Sequence, residues 1–192
     1  MINELNIIFD RFLDGDQQAF ETIYKSYYPM LFNYGMQVIP QPDMIDDAIH
    51  ETFIDIWKYK GTLHVQAPKS YLIRCLRNKL LKSKKEEERK DKVIRSYAED
   101  EFQLEYDAFH IQELIEHNSE LETYLQEALK QLSPQQREII FLVFYQNMSY
   151  QEVAVVLDIK IKTVYNQIYR ALQNLRNILP VSIFTLFFPF FT

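Results

Sequence analysis

Residues 149–179 read SYQEVAVVLDIKIKTVYNQIYRALQNLRNIL, and this stretch decides the fold. Ser149-Tyr150-Gln151-Glu152 is a capping box. The serine side chain can accept an orphan amide of the first turn, and the glutamate three residues on can return the bond. The apolar run behind it predicts a helix ending near Leu157. Asp158-Ile159-Lys160-Ile161 then lead to a further helix from Lys162 to Leu179. Two helices joined by so short a turn form a helix-turn-helix. In the second of them Val164, Ile168, Ala171, Leu172, Leu175, Ile178 and Leu179 recur at helical spacing and must face a core. The other face carries Lys162, Tyr165, Asn166, Tyr169, Arg170, Gln173 and Asn174, with no acid among them. A merely solvated helix face mixes glutamate with lysine. Asn or Gln pairs with adenine and Arg with guanine in a major groove, and Lys160 and Lys162 near the helix start suit phosphates. An ordinary polar face is the competing reading, and the helix-turn-helix context favours DNA over it.

Upstream, Ser133-Pro134-Gln135-Gln136 reads as an N-cap, a first-turn proline and a capping-box glutamine. Near the N-terminus, Phe20, Ile23, Tyr24, Tyr27 and Leu31 recur at helical spacing until Pro40 and Pro42 break it. Then comes DMIDDAIHETFIDIWKYK, residues 43–60. Ile45, Ala48, Ile49, Thr52, Phe53, Ile56 and Trp57 form its apolar stripe, while Asp46, Asp47, His50, Glu51 and Asp55 lie off it as an acidic face. A break from Gly61 to Pro68 precedes KSYLIRCLRNKLLKSKK, where Leu72, Cys75, Leu76 and Leu80 face inward and Arg74, Arg77, Asn78, Lys82 and Lys85 face out. The sequence thus predicts an all-α protein of two small helical domains joined by an acidic linker. The expected boundaries are 1–90, a linker over 91–120, a helix-turn-helix domain over 121–179 and a tail over 180–192. The linker keeps Phe102, Leu104, Tyr106, Phe109 and Ile111, enough apolar residues for part of it to be helical.

Composition sets the outer limits. With 192 residues and 47% hydrophobic content the chain can bury a core, and only 3 glycines favour helices over a turn-rich β fold. The net charge of −6 hides blocks: −6 over 1–68, +7 over 69–95, −9 over 96–130 and +2 over 131–192. Segregation of this kind points to separate surfaces for separate partners. The single cysteine, Cys75, fits a reducing compartment and sits on an apolar stripe, as a core residue would. No signal peptide is read at the N-terminus. His50, His64, His110 and His117 show no metal-ligand spacing. Neither a metal nor a cofactor nor a small-molecule substrate is expected, and no catalytic constellation supports an enzyme.

Two stretches together resemble the extracytoplasmic-function (ECF) type of bacterial RNA polymerase sigma factor. GDQQAFETIYKSYYPMLFNYG, DDAIHETFIDIWKYK and SYLIRCLRNKLLKSKK are similar to the family's region 2, a helical bundle. LKQLSPQQREIIFLVFYQNMSYQEVAVVLDIKIKTVYNQIYRALQNLR is similar to its region 4, the helix-turn-helix. The resemblance spans most of 13–85 and 121–178. It implies a subunit that binds core RNA polymerase and directs initiation at promoters. Asp47, His50, Glu51, Phe53 and Trp57 would dock on the polymerase. The loop at 61–69 with Lys69, Arg74, Arg77, Asn78 and Lys82 would open the −10 element and hold a flipped base. Lys160, Lys162, Tyr165, Asn166, Gln167, Tyr169 and Arg170 would read the −35 element. It further implies a cytoplasmic protein held at the inner membrane through a membrane-anchored anti-sigma factor. The sequence departs from the family at His50, where glutamine is usual, and at Asp158, where glycine is usual. The alternatives are a stand-alone helix-turn-helix regulator and a helical adaptor that binds only protein.

The tail matches no part of the family pattern. Residues 181–191 hold Val181, Ile183, Phe184, Leu186, Phe187, Phe188, Phe190 and Phe191, interrupted by Pro189. A membrane span needs about 20 apolar residues, so a span is rejected. Docking on the protein's own domains, against Phe102, Tyr106 and Phe109 of the linker, is the favoured reading. A contact for an anti-sigma partner and loose membrane association are the others.

Overall fold

The order of elements follows from a few local stops. The structure is a computed structural model that describes residues 2–91, 127–181 and 184. The chain divides into two units, one of Met1–Glu99 with Val155–Leu157 and one of Asp100–Ala154 with Asp158–Thr192. Among the described residues the regular structure is helical throughout.

In the first unit, α1 (Ile2–Leu13) buries Phe9, Phe12 and Leu13. It stops at Gly15, whose φ of +96° suits a residue without a Cβ. Asp16 then caps α2 (Gln17–Val38), its Oδ1 accepting the amides of Gln18 at 2.9 Å and Ala19 at 3.1 Å. The Ala19 amide, and then Arg11 beside the other oxygen, hold the Asp16 carboxyl below its ordinary range. Helix α2 buries Ile23, Tyr27, Leu31 and Tyr34. Pro42 opens α3 (Pro42–Tyr59) at its first turn, where a missing N–H costs nothing. A Cβ on Gly35 would lie 2.5 Å from Cγ2 of Ile45, so α2 and α3 approach as closely as only glycine permits. A 3₁₀ turn over Lys60–Thr62 and a stretch without regular structure lead to α4 (Pro68–Asp91). Leu72, Ile73, Leu76 and Leu80 of α4 are buried. Helix α2 packs against all three others, and α3 packs against α4.

In the second unit, residues 127–130 are helical and bury Ala128 and Leu129. Both expected capping boxes are present. Ser133 and Gln136 open α5 (Pro134–Ile140), and Ser149 and Glu152 open α6 (Tyr150–Leu157). Between them Phe141–Tyr145 winds as a π-helical turn, closed by the Gln146 amide on the Phe141 carbonyl at 2.9 Å. Helix α7 (Ile161–Ile178) buries Val164, Ile168, Ala171, Leu172 and Leu175 and packs on α5.

The turn between α6 and α7 hinges on Asp158, which adopts φ 54°, ψ 45°. Its amide and that of Ile159 both donate to the Ala154 carbonyl and close α6. The backbone here takes the form glycine would give it, and aspartate is among the few other residues that tolerate this region. Asp158→Gly is therefore expected to leave the urea midpoint nearly unchanged. Asp158→Val, β-branched in a left-handed site, should lose about 1–2 kcal/mol. Equal stability of the two variants would rule out backbone conformation as the constraint at this position.

Past Asp91, the linker expected over 91–120 lies outside the described residues, as do 121–126. The tail does too, apart from Pro180, Val181 and Phe184.

Candidate nucleic-acid interface

On α7, Lys162, Tyr165, Asn166, Tyr169 and Arg170 are all exposed, and Lys160 is exposed at the N-cap position. The Lys160 side chain makes no capping bond. Two cations thus stand beside the first-turn amides of a helix that contains no acid, an arrangement that favours phosphate. The Tyr165 ring is not loose: it meets Tyr150 of α6 edge to face at 4.7 Å. Burial pushes the Tyr150 phenol above its usual value, with Tyr165 adding to the effect. Gln167 differs from its neighbours. It is half-buried, its Oε1 accepts from Gln136 at 3.2 Å, and its amide nitrogen donates to Gln135 at 3.4 Å. The amide that the family pattern points toward a base here ties α7 to the first turn of α5.

On α4, Asn78 and Lys82 are exposed, while Lys69, Arg74 and Arg77 are half-buried. Lys82 lies 3.9 Å from Glu86, one helical turn on, an exposed pair that holds little energy. Cys75 is half-buried, and burial raises its thiol pKa, so at neutral pH it stays protonated and a poor nucleophile. Its neighbour Tyr71 is pushed up to about 12, chiefly by burial and then by Cys75.

On α3, Asp47, His50 and Glu51 are exposed. Phe53 is not. At 1% exposure it belongs to the core, its ring 4.9 Å from Tyr24 and 6.1 Å from Phe20. Phe53, expected to dock directly, therefore lies on the inward stripe, behind the exposed face of α3. Trp57 is half-buried, stacked on Phe12 at 6.0 Å and edge-on to Phe20 at 5.4 Å, with the Lys60 ammonium 4.2 Å from its ring centroid. His50 is fixed at both nitrogens: Nδ1 pairs with the Asp46 carbonyl at 2.9 Å and Nε2 with the Tyr24 hydroxyl at 3.0 Å. Tyr28 donates to the Asp46 carboxylate, and that bond, ahead of burial, pushes its phenol up to about 12.

Two residues escaped the sequence reading. Ile54 is 63% exposed in the middle of the acidic face, an apolar side chain placed where a partner would cover it. Its position off the apolar stripe was the available signal. Lys79 of α4 reaches across to α3, 2.7 Å from Asp55 and 3.3 Å from Glu51. Burial pulls its pKa down, but the two carboxylates outweigh that and hold it above its usual value. No sequence spacing announces a pair between helices. Among the described residues, no three His, Cys, Asp or Glu side chains gather as a metal site requires. Among the same residues, no helix is long and apolar enough to cross a membrane.

A helical bundle with a basic helix and an acidic one, together with a helix-turn-helix whose outward face lacks acids, defines a helical protein built to meet DNA and a protein partner. Comparison with known proteins makes this specific. Residues 23–90 match the model for Sigma-70 region 2 and residues 122–175 that for Sigma-70, region 4, together well over half of the chain. The chain is 19% identical over 187 residues to the ECF RNA polymerase sigma factor SigK of Mycobacterium sp. (strain KMS), covering 93% of this chain and 92% of the relative. Among solved structures, it resembles the sigma factor RpoE in complex with the anti-sigma factor NepR from Bartonella quintana. That likeness has a TM-score of 0.58 and 22% identity, over 84% of this chain and 97% of the other. It also resembles CnrH in complex with the cytosolic domain of CnrY, with a TM-score of 0.56 and 23% identity, over 89% and 94%. Both likenesses show the fold. The chain belongs to the sigma-70 family, in its ECF type, a family of non-catalytic initiation factors. Its function is promoter-specific transcription initiation with RNA polymerase.

Proposed function

We propose that the two units divide this work as the sequence reading assigned it. Region 2, placed over 1–90, docks core RNA polymerase through the acidic face of α3, with Asp47, His50 and Glu51 around Ile54. Phe53 and Trp57 keep that face in position from behind. The loop before α4 and the exposed side of α4, with Lys69, Arg74, Arg77, Asn78 and Lys82, take the −10 element and its unstacked base. Region 4, placed over 121–179, reads the −35 element through Tyr165, Asn166, Tyr169 and Arg170, while Lys160 and Lys162 hold phosphates and Gln167 positions the helix. The chain itself catalyses nothing; it lends polymerase a choice of promoter.

The observation that carries this reading is the face of α7, seven exposed polar or aromatic residues and no acid over the whole helix. Unstacking a base costs a few kcal/mol, more than a small domain supplies unaided, so melting belongs to the complex with polymerase. The chain acts in the cytoplasm, and a membrane-anchored anti-sigma factor would hold it inactive. A solved relative in complex with its own anti-sigma factor supports a partner of that kind. Reconstitution tests the whole. Purified chain added to core polymerase should give a stable holoenzyme and transcripts that start only at promoters carrying its two elements. A chain that binds duplex DNA site-specifically, yet never associates with core polymerase, would instead be a stand-alone regulator.

A further inference from the structure

Val181 is 78% exposed, yet Phe184, three residues later, is 3% exposed. The Phe184 amide donates to the Pro180 carbonyl at 2.9 Å. Phe184 forms part of the wall of a groove of about 330 Å³ in the second unit. The rest of the wall is Tyr150, Tyr165, Ile168, Tyr169 and Leu172, with Gln173 and Arg176 completing it. Tyr165 and Tyr169 are 53% and 66% exposed, so two large rings border an apolar groove and remain open to water.

We propose that residues 185–192 of this same chain fill that groove and so restrain α7 from engaging duplex DNA. Three observations select this occupant. The segment starts at the residue after Phe184, so its effective concentration at the groove is that of a tether a few residues long. It carries Leu186, Phe187, Phe188, Phe190 and Phe191 and no charged side chain, matching walls made, Gln173 and Arg176 apart, of rings and aliphatic side chains. Seating such side chains there covers the Tyr165 and Tyr169 surface that is otherwise an exposed apolar patch.

The regulatory consequence rests on the reading of α7 as the DNA-contacting helix. Tyr165 and Tyr169 line the groove and also stand on that reading face, so a filled groove and a bound duplex compete for the same two rings. The competition is reciprocal: DNA must expel the tail, and the tail lowers apparent affinity by the fraction of time it is seated. If it is seated about nine-tenths of the time, its loss tightens duplex binding about tenfold.

The test compares three proteins: the full chain, a chain ending at Phe184, and a full-length chain carrying Phe187→Asp and Phe188→Asp. Each is labelled with 3-fluorotyrosine for ¹⁹F NMR without DNA, and each is assembled with core polymerase for binding to a duplex bearing the −35 element. In both variants the Tyr165 and Tyr169 signals should move and the holoenzyme should bind the duplex about tenfold tighter. Unmoved tyrosine signals would show that the tail does not occupy the groove. Moved signals with unchanged affinity would show occupancy without restraint, which also overturns the proposal. If the signals stay and only the full chain sediments with phosphatidylglycerol vesicles, the tail is a membrane contact instead. Asn166→Ala in the full chain separates the two layers. Lost base preference there, without any effect of the tail, refutes this proposal alone, whereas unaltered base preference refutes the reading of α7 and this proposal with it.

Discussion

A full-length protein carrying Asp47→Lys and Glu51→Lys should fold normally and fail to form holoenzyme. The fold should survive because both side chains are exposed and neither supports the core. Among the described residues the bond at stake is the 3.3 Å contact of Glu51 with Lys79, and Lys79 keeps its shorter contact to Asp55 at 2.7 Å. Exposed pairs of this kind contribute about 0–1 kcal/mol. Docking is affected on another scale. Reversing a charge that meets a complementary one in a desolvated contact costs about 2–5 kcal/mol, so two reversals should weaken binding by more than about a hundredfold. Helical circular dichroism and the melting midpoint establish folding, and size-exclusion co-elution with core polymerase reads binding. Glu21→Lys is the control, since that residue lies on α2 in a surface pair with Lys25 at 2.6 Å. A folded double variant that still co-elutes would remove α3 from the interface.

The second large effect is on base selection. Asn166→Ala and Arg170→Ala should each lose about 1–3 kcal/mol of discrimination at particular positions of the −35 element. Lys162→Ala should weaken binding evenly across sequences and lower the salt slope by about one unit. Gln167→Ala belongs to a third class. With its amide held by Gln136 and Gln135, its loss should lower the stability of the second unit and leave base preference unaltered. Transcription from a panel of single-base −35 variants, at two salt concentrations, distinguishes the three. Uniform losses for all four substitutions on every template would mean that this face does not read bases.

What could be read from the chain alone was whatever is settled within a few residues. Both capping boxes are bonds between a side chain and a backbone amide three positions away, so Ser133 with Gln136 and Ser149 with Glu152 announced their helices. The stripes of α3 and α7 were equally legible, because burial at one face of a helix repeats with the helix. Helix α1 was missed although Phe9, Phe12 and Leu13 recur at helical spacing, since no cap or proline marks its start. The π-helical turn at Phe141–Tyr145 was missed for a related reason: FLVFY is apolar throughout and has no period to read. The site was half legible. Exposure separates Asn166 from Gln167 and Glu51 from Phe53, and exposure depends on neighbours far away in sequence. The reach of Lys79 to two acids of another helix is of the same kind. Asp158, where the family has glycine, raised the question of turn geometry, and the left-handed conformation answers it without a change of shape.

The contact between Gly35 and Ile45 has a further consequence. A Cβ at position 35 would lie only 2.5 Å from the isoleucine methyl, so Ile45 sits in a notch that only glycine leaves open. So close a seat resists sliding or rolling of α3 on α2. The acidic comb on its far side is therefore fixed in spacing and direction before any partner arrives. A preorganised surface loses little freedom on association, and that saving accrues to affinity without a single added contact. If α3 docks polymerase as proposed, position 35, wholly inside the protein, bears on how sharply the outside is recognised.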